Sequence, residues 1–383
     1  MQPLELRRVA GAIVALFLLG GAGAGVGALE PGATRATMRV IFDSVRTLLT
    51  FSVKDQGFRD PSRQDRVIDA LNELGDQAAM LSEHAAADDV GSAFLASSLE
   101  RYAVLTLRNY EWGRFERLPA LVYQTTEICV ACHTRLPARA DSPLAEDFID
   151  SDTVETLPAY RRAKVQAATR RFDDALATLE ALLASRRIDP VRAVDAARLY
   201  LSISLRVKSD VERPVPILNA LAQRGDLPRA LREDVASWVS ALQRLRDWPP
   251  SGAPPDAART LIEDAARRLP RERSALVHYI AASGLLHRYT GAAQPGARSA
   301  ELAEAYYLLG VAEYRSHADD WLPQAELYLE YAIRLAPDAP SAARAYELLE
   351  QKVLLGYGVG NASELPQELR DHLQKLASII ARS

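Results

Sequence analysis

The stretch LPALVYQTTEICVACH, residues 118–133, joins a helical pattern to a compact group of reactive side chains. Mostly apolar residues recur in it every three or four positions and form a stripe along one face, as in an amphipathic helix. They are Leu118, Leu121, Val122, Thr125 and Ile128. The stripe runs directly into Cys129-Val130-Ala131-Cys132-His133. Residues three and four apart lie on one face of a helix. We therefore expect the two thiols and the imidazole to project from the same side.

Cys129 and Cys132 are the only cysteines among the 383 residues. A C-x-x-C pair occurs in redox dithiols, in half of a zinc site and in haem attachment sequences. A tetrahedral zinc site needs further Cys or His at metal spacing, which the sequence lacks. A thioredoxin-like motif needs a βαβ context, whereas the flanks here are helical in pattern. The pentapeptide therefore predicts one covalent haem c, with thioethers from Cys129 and Cys132 and with His133 as the proximal iron ligand.

The composition predicts an all-α protein, because Ala, Leu, Arg and Glu dominate and no alternating apolar pattern appears. The net charge of -4 and the lack of a basic patch with aromatic residues argue against nucleic acid as a partner. No catalytic triad, phosphate-binding loop or carboxylate pair stands in a recognisable context. The sequence therefore favours a protein that is not an enzyme.

The N-terminus has the features of an export signal over residues 1–28. Arg7 and Arg8 precede an uncharged run at 9–29, and Val26-Gly27-Ala28 offers the small residues that signal peptidase requires. An uncleaved membrane anchor is the alternative, since the run approaches the roughly 20 residues that span a bilayer. Its many glycines favour cleavage, because glycine weakens a helix. Both alternatives place the rest of the chain in the periplasm, where haem thioethers are made after translocation.

Residues 33–137 are expected to form a four-helix haem domain. Three amphipathic stripes precede the one quoted above: Met38, Ile41, Val45 and Leu48; Val67, Leu71, Leu74, Ala78 and Leu81; and Leu95, Leu99, Tyr102 and Leu105. Short turns separate them, near Gly57, at Asp88-Asp89 and at Gly113. Four such helices predict an antiparallel up-down-up-down bundle. The following residues, 138–158, contain Pro143 and Pro158, and six acids but no base lie between Asp141 and Glu155, as in a solvated linker.

This bundle, with Cys129, Cys132 and His133 at the end of its fourth helix, resembles cytochrome c-prime and its low-spin class II relatives. The resemblance covers residues 33–137. It implies that the haem lies inside the bundle and that the first helix faces the open side of the iron. Low-spin members use a methionine early in that helix, which here is Met38. Members with an apolar residue there leave the iron five-coordinate.

Topology keeps three possibilities open for the sixth ligand. In an up-down-up-down bundle the end of helix four lies beside the start of helix one and the end of helix two. Met38 lies at the first of these places and His84 at the second. A methionine on an apolar stripe commonly fills a core, and a histidine at a helix end commonly caps it. The sequence therefore predicts Met38, His84 or an empty position.

Residues 159–383 are predicted to form an α-solenoid of helical hairpins. The clearest repeat consists of Tyr306, Leu309, Gly310, Ala325, Leu329, Ala332 and Pro337. The last four match the spacing in the second helix of a tetratricopeptide repeat. Ser363-Glu364-Leu365-Pro366 is expected to introduce a final capping helix that reaches Ile380.

The sequence thus predicts an exported monohaem c-type cytochrome that transfers electrons. Its repeat region would dock a redox partner or join a larger redox complex, as repeat arrays commonly do. The alternative is a five-coordinate haem that binds or senses nitric oxide or carbon monoxide.

Overall fold

A computed structural model describes residues 31–53, 57–85, 89–135, 154–247, 253–268, 272–293, 299–316 and 322–382. The predicted signal segment, 1–28, and most of the predicted linker, 138–158, lie outside these described residues. The described ranges contain fifteen α-helices and no strand, which confirms the predicted all-α fold class. Described residues up to 247 belong to one compact unit, and those from 253 onward belong to a second.

Four helices begin the first unit, and their bounds are α1 (Pro31–Val53), α2 (Gln64–Ala85), α3 (Val90–Glu111) and α4 (Leu118–His133). Each packs against the next, and α4 packs back against α1, so the four close into a ring. The predicted stripes supply its core, where Ile41, Leu48, Leu74, Leu95 and Leu118 are almost fully buried. Burying one such side chain contributes about 1.5–3 kcal/mol relative to leaving it exposed.

The ends of α3 and α4 are fixed by local chemistry. The Asp89 carboxylate caps α3 by accepting a hydrogen bond from the backbone N–H of Gly91 at 3.0 Å. The same carboxylate binds both terminal nitrogens of Arg135 at 3.0 Å, and the Arg135 side chain is only 4% exposed. Gly113 lies just beyond α3 with φ of +67°, in the left-handed region that favours glycine. The ion pair between Asp89 and Arg135 holds the end of α4 against the start of α3.

Five further helices complete the first unit: α5 (Ala159–Ala168), α6 (Phe172–Ala184), α7 (Pro190–Ser202), α8 (Pro214–Ala222) and α9 (Arg229–Arg246). A π-helical turn, Ile203–Val207, extends α7. Helix α5 packs against α6 and also against α4. The unit therefore continues from the four-helix ring into the helical hairpin of α5 and α6.

The second unit contains α10 (Pro254–Arg268), α11 (Leu276–Gly291), α12 (Ala300–Ser316), α13 (Gln324–Leu335), α14 (Pro340–Tyr357) and α15 (Gln367–Ile380). Each helix packs against its neighbour in sequence, and α12 also packs against α10 and α14. This pattern is compatible with a helical-repeat solenoid. A Cβ at Gly310 would lie 2.7 Å from the Leu329 side chain, so only glycine permits this approach of α12 to α13.

Within the described ranges, no helix combines the length and the apolar character that crossing a membrane requires.

Candidate functional site

The pentapeptide that ends at His133 forms the C-terminal turn of α4, as the sequence pattern predicts. The backbone N–H of Thr134 closes this turn on the Val130 carbonyl at 3.0 Å. Cys129 is buried, whereas Cys132 and His133 are partly exposed. The motif therefore lies on a regular helix whose end is fixed by the Arg135–Asp89 pair.

Cys129 opens into a pocket between α1, α4 and α5. The pocket is narrow, with room for about one water molecule, and is lined by Phe42, Val45, Arg46, Leu49, Thr126, Cys129, Val165, Ala168 and Thr169. Most of these side chains are apolar. A planar apolar ligand attached to Cys129 would thus find hydrophobic side chains from three helices around its point of attachment.

His133 is held by contacts on two sides of its imidazole ring. Its Nδ1 lies 2.6 Å from the backbone carbonyl oxygen of Ala168, at the end of α5. The Phe42 ring of α1 stacks against it, with ring centroids 6.2 Å apart and planes inclined by 28°. A carbonyl oxygen only accepts hydrogen bonds, so Nδ1 carries the proton and Nε2 keeps its lone pair. This is the tautomer that a metal-binding imidazole needs.

Burial shifts the ionisation of all three side chains toward the neutral form. Burial first, and then the neighbouring thiol of Cys132, raise the pKa of Cys129 to about 12. Burial also raises the pKa of Cys132. Burial first, and then the positive charge of Arg170, lower the pKa of His133 to about 4, against the opposing effect of the Ala168 carbonyl. At neutral pH the imidazole is therefore unprotonated at Nε2, which is the form that binds iron.

Helix α5 is attached to α4 by charged and aromatic side chains near the motif. Lys164 of α5 forms an ion pair with Glu127 of α4. One helical turn earlier on both helices, the guanidinium of Arg161 lies 3.9 Å from the centre of the Tyr123 ring. Such a cation–π contact contributes about 0.5–1 kcal/mol where it is exposed. The site is therefore shared between the four-helix ring and the first helix after it, which the sequence pattern does not indicate.

The structure places the two candidate sixth ligands in different surroundings. Met38 lies on α1 one helical turn before Phe42 and is partly buried, whereas Ile41 and Leu48 of its predicted stripe are fully buried. His84 lies near the C-terminus of α2, and its side chain falls outside the described residues. Phe42 of α1 contacts His133 through its ring. Sequence reasoning missed Phe42, although its spacing of four from Met38 places it on the same face.

The side chains at the end of α4 fit a covalently attached haem. Two thiols and an imidazole with a free Nε2 share one helix turn, and the pocket beside Cys129 is apolar. The Nε atom of Arg170, whose charge acts on both Cys132 and His133, is buried without a hydrogen-bond partner. In the described part of the chain, no three His, Cys, Asp or Glu side chains converge to hold a metal ion. Haem attachment does not require such convergence, because the thiols bond the porphyrin edge rather than the iron.

No protein-family model, curated protein or solved structure matches this chain.

Proposed function

We propose that this chain is an exported c-type cytochrome that transfers electrons through one covalent haem. The observation that carries the proposal is the neutral His133 imidazole, held through Nδ1 with Nε2 free, one residue after the C-x-x-C pair. That combination is the donor set of c-type haem attachment. A bound haem would supply reversible one-electron transfer between Fe(III) and Fe(II).

Each side chain of the site has a separate task in this proposal. Cys129 and Cys132 would hold the haem edge by thioether bonds, and Nε2 of His133 would bind the iron. Apolar residues of α1 and α5, such as Phe42 and Val165, exclude water from the attachment side. The charge of Arg170 acts at the same place, where a haem carboxylate needs a cationic partner.

The helices after α4 would serve as a scaffold that docks a redox partner or joins the chain to a larger redox complex. The close approach of α12 to α13 at Gly310 supports a tetratricopeptide-like interpretation, since such hairpins pair through small residues. Export to the periplasm is part of the proposal and rests on Arg7, Arg8 and the uncharged run at 9–29.

Covalent attachment is tested by extracting the purified protein with acid acetone. The wild type should keep its colour, whereas Cys129→Ala combined with Cys132→Ala should lose all of it, because no thioether remains. Ala131→Ser is the matched control, since it changes the same helix turn and keeps both thiols. A double variant that retained its haem through extraction would overturn the proposal.

Gas binding by a five-coordinate haem is the second candidate. Among the described residues that line the Cys129 pocket, none besides that cysteine is a usual axial ligand. A high-spin ferric spectrum with immediate carbon monoxide binding by the ferrous protein would favour this function. A low-spin spectrum whose far-red sulfur-to-iron band disappears in Met38→Ala would establish methionine ligation and electron transfer. Loss of the low-spin state only in His84→Ala would indicate two histidine ligands.

A further inference from the structure

The turn that ends α5 leaves one carbonyl oxygen for His133. The backbone N–H of Arg170 binds the Ala167 carbonyl at 3.0 Å, and that of Arg171 binds the Gln166 carbonyl at 2.8 Å. These two bonds form a Schellman motif, the common way in which a helix end satisfies its last carbonyls. The Ala168 carbonyl is used by neither bond, and it faces Nδ1 of His133 at 2.6 Å. The way in which α5 ends therefore determines where this acceptor lies.

Arg170 adopts an unusual backbone conformation in this turn. Its φ is +62°, in the left-handed region, where a residue other than glycine costs roughly 1–2 kcal/mol. Its Nε atom is buried without a hydrogen-bond partner. Strained backbone of this kind clusters at functional sites, and here it lies directly beside a candidate haem ligand.

We propose that the turn formed by residues 168–170 is the proximal wall of the haem site, and that the Ala168 carbonyl sets the donor strength of His133. The inference rests on the proposed cytochrome function. An imidazole that donates its Nδ1 proton to a carbonyl is a stronger donor at Nε2, and a stronger donor stabilises Fe(III). The hydrogen bond therefore lowers the reduction potential of the haem.

Because this acceptor comes from α5, the first helix of the repeat region takes part in setting the potential. A protein that displaced α5 on docking would weaken the hydrogen bond and raise the potential. Linkage makes the effect reciprocal, so the oxidation state of the iron would change the affinity for that protein by the same factor. The turn thus connects the scaffold to the redox centre within one compact unit.

Two substitutions at one position test this proposal in the full-length holoprotein. Arg170→Gly and Arg170→Val remove the same charge, but only glycine adopts a positive φ without strain. Valine resists that conformation and should displace the Ala168 carbonyl. We expect Fe(II) to be favoured about tenfold more in Arg170→Val than in Arg170→Gly, which is about 59 mV for a one-electron couple. Equal potentials in two folded variants would overturn the proposal.

A second measurement uses the haem-free protein that carries both Cys129→Ala and Cys132→Ala. Nitrogen-15 NMR of labelled histidine should show the Nδ1–H tautomer of His133 at pH 7, retained when Arg170→Gly is added. A dominant Nε2–H tautomer would overturn the proposal, even where Arg170→Val fails to fold. Because this measurement needs no haem, it remains valid if extraction shows that the wild type binds none. A wild type that bound no haem would instead refute the proposed function.

Discussion

In the first unit, charged groups beside the candidate site link α4 to α5. In the second unit, close packing of side chains links α12 to α13. The first contact depends on the Lys164–Glu127 pair and on Arg161 over Tyr123. The second depends on Gly310, whose missing side chain leaves the space that Leu329 fills. A contact between charges changes with solvent and pH, whereas a close-packed contact tolerates little displacement. The contact beside the candidate site should therefore respond more strongly to salt and pH than the contact of α12 with α13.

The largest expected effect comes from the buried ion pair that fixes the end of α4. Asp89→Ala leaves the Arg135 guanidinium buried without its carboxylate and removes the cap of α3. Breaking a buried pair in this way costs about 3–5 kcal/mol. We expect a decrease of that order in the free energy of unfolding, measured by urea denaturation of the purified protein.

The matched control is Glu233→Ala, which removes an exposed partner of Arg229 within α9. Exposed pairs of this kind contribute at most about 1 kcal/mol. If Asp89→Ala destabilised the protein no more than Glu233→Ala, the Arg135 pair would not be what fixes the end of α4.

A smaller effect is expected at the close-packed contact of the second unit. Gly310→Ala places a Cβ 2.7 Å from the Leu329 side chain and 3.3 Å from the Ala325 carbonyl oxygen. Overpacking of this kind costs about 1–3 kcal/mol, against a gain in helix propensity of about 1 kcal/mol. The variant should therefore unfold at lower denaturant concentration than the wild type.

Gly356→Ala is its control, because a Cβ at that position of α14 meets nothing within 4 Å. This variant should gain up to about 1 kcal/mol from helix propensity alone. Equal gains at both glycines would show that α12 and α13 have room to separate, which would remove the contrast between the two units.

The smallest effect concerns pH and the link between α13 and α15. Burial acts to raise the pKa of Glu330, but the hydrogen bond from His372 and the charge of Arg334 outweigh it and hold that pKa below its ordinary value. A carboxylate with a lowered pKa contributes stability above its unfolded pKa of about 4.3. That contribution disappears as the pH falls through the lower folded value.

Glu330→Gln should remove this part of the acid dependence, since glutamine does not titrate. The test compares the unfolding free energies of both proteins in steps from pH 6 downward. Glu350→Gln serves as the control, because that partly buried carboxylate accepts a hydrogen bond from the Tyr346 hydroxyl of its own helix, α14. Parallel curves for wild type and Glu330→Gln would contradict the expected role.

Local patterns predicted the helices well because their causes lie within a few residues. The apolar stripes correspond to α1–α4, Asp89 caps α3, and Gly113 ends it with a positive φ. The final helix ends at Ile380, as expected from its pattern. Spacing along one helix also placed Cys129 and His133 on the last turn of α4.

The packing of α5 against α4 could not be read from the sequence. His133 and Ala168 are separated by 35 positions, and no periodicity relates a ring nitrogen to a distant carbonyl. Phe42 was missed for a related reason, because an aromatic residue beside an apolar stripe has many ordinary roles. The predicted boundaries of the haem domain at 33–137 and of the repeat region at 159–383 stay predictions.

The burial of Cys129 bears on the order in which the protein is assembled. The residue is 9% exposed, and the pKa of its thiol, about 12, leaves very little thiolate, the reactive form, at neutral pH. Under the proposed function, thioether formation therefore has to precede the packing of α5 over α4. Since α5 follows the motif in the chain, export from the N-terminus presents the cysteines first. Attachment would then compete in time with folding, and a chain that folded too early would be left colourless.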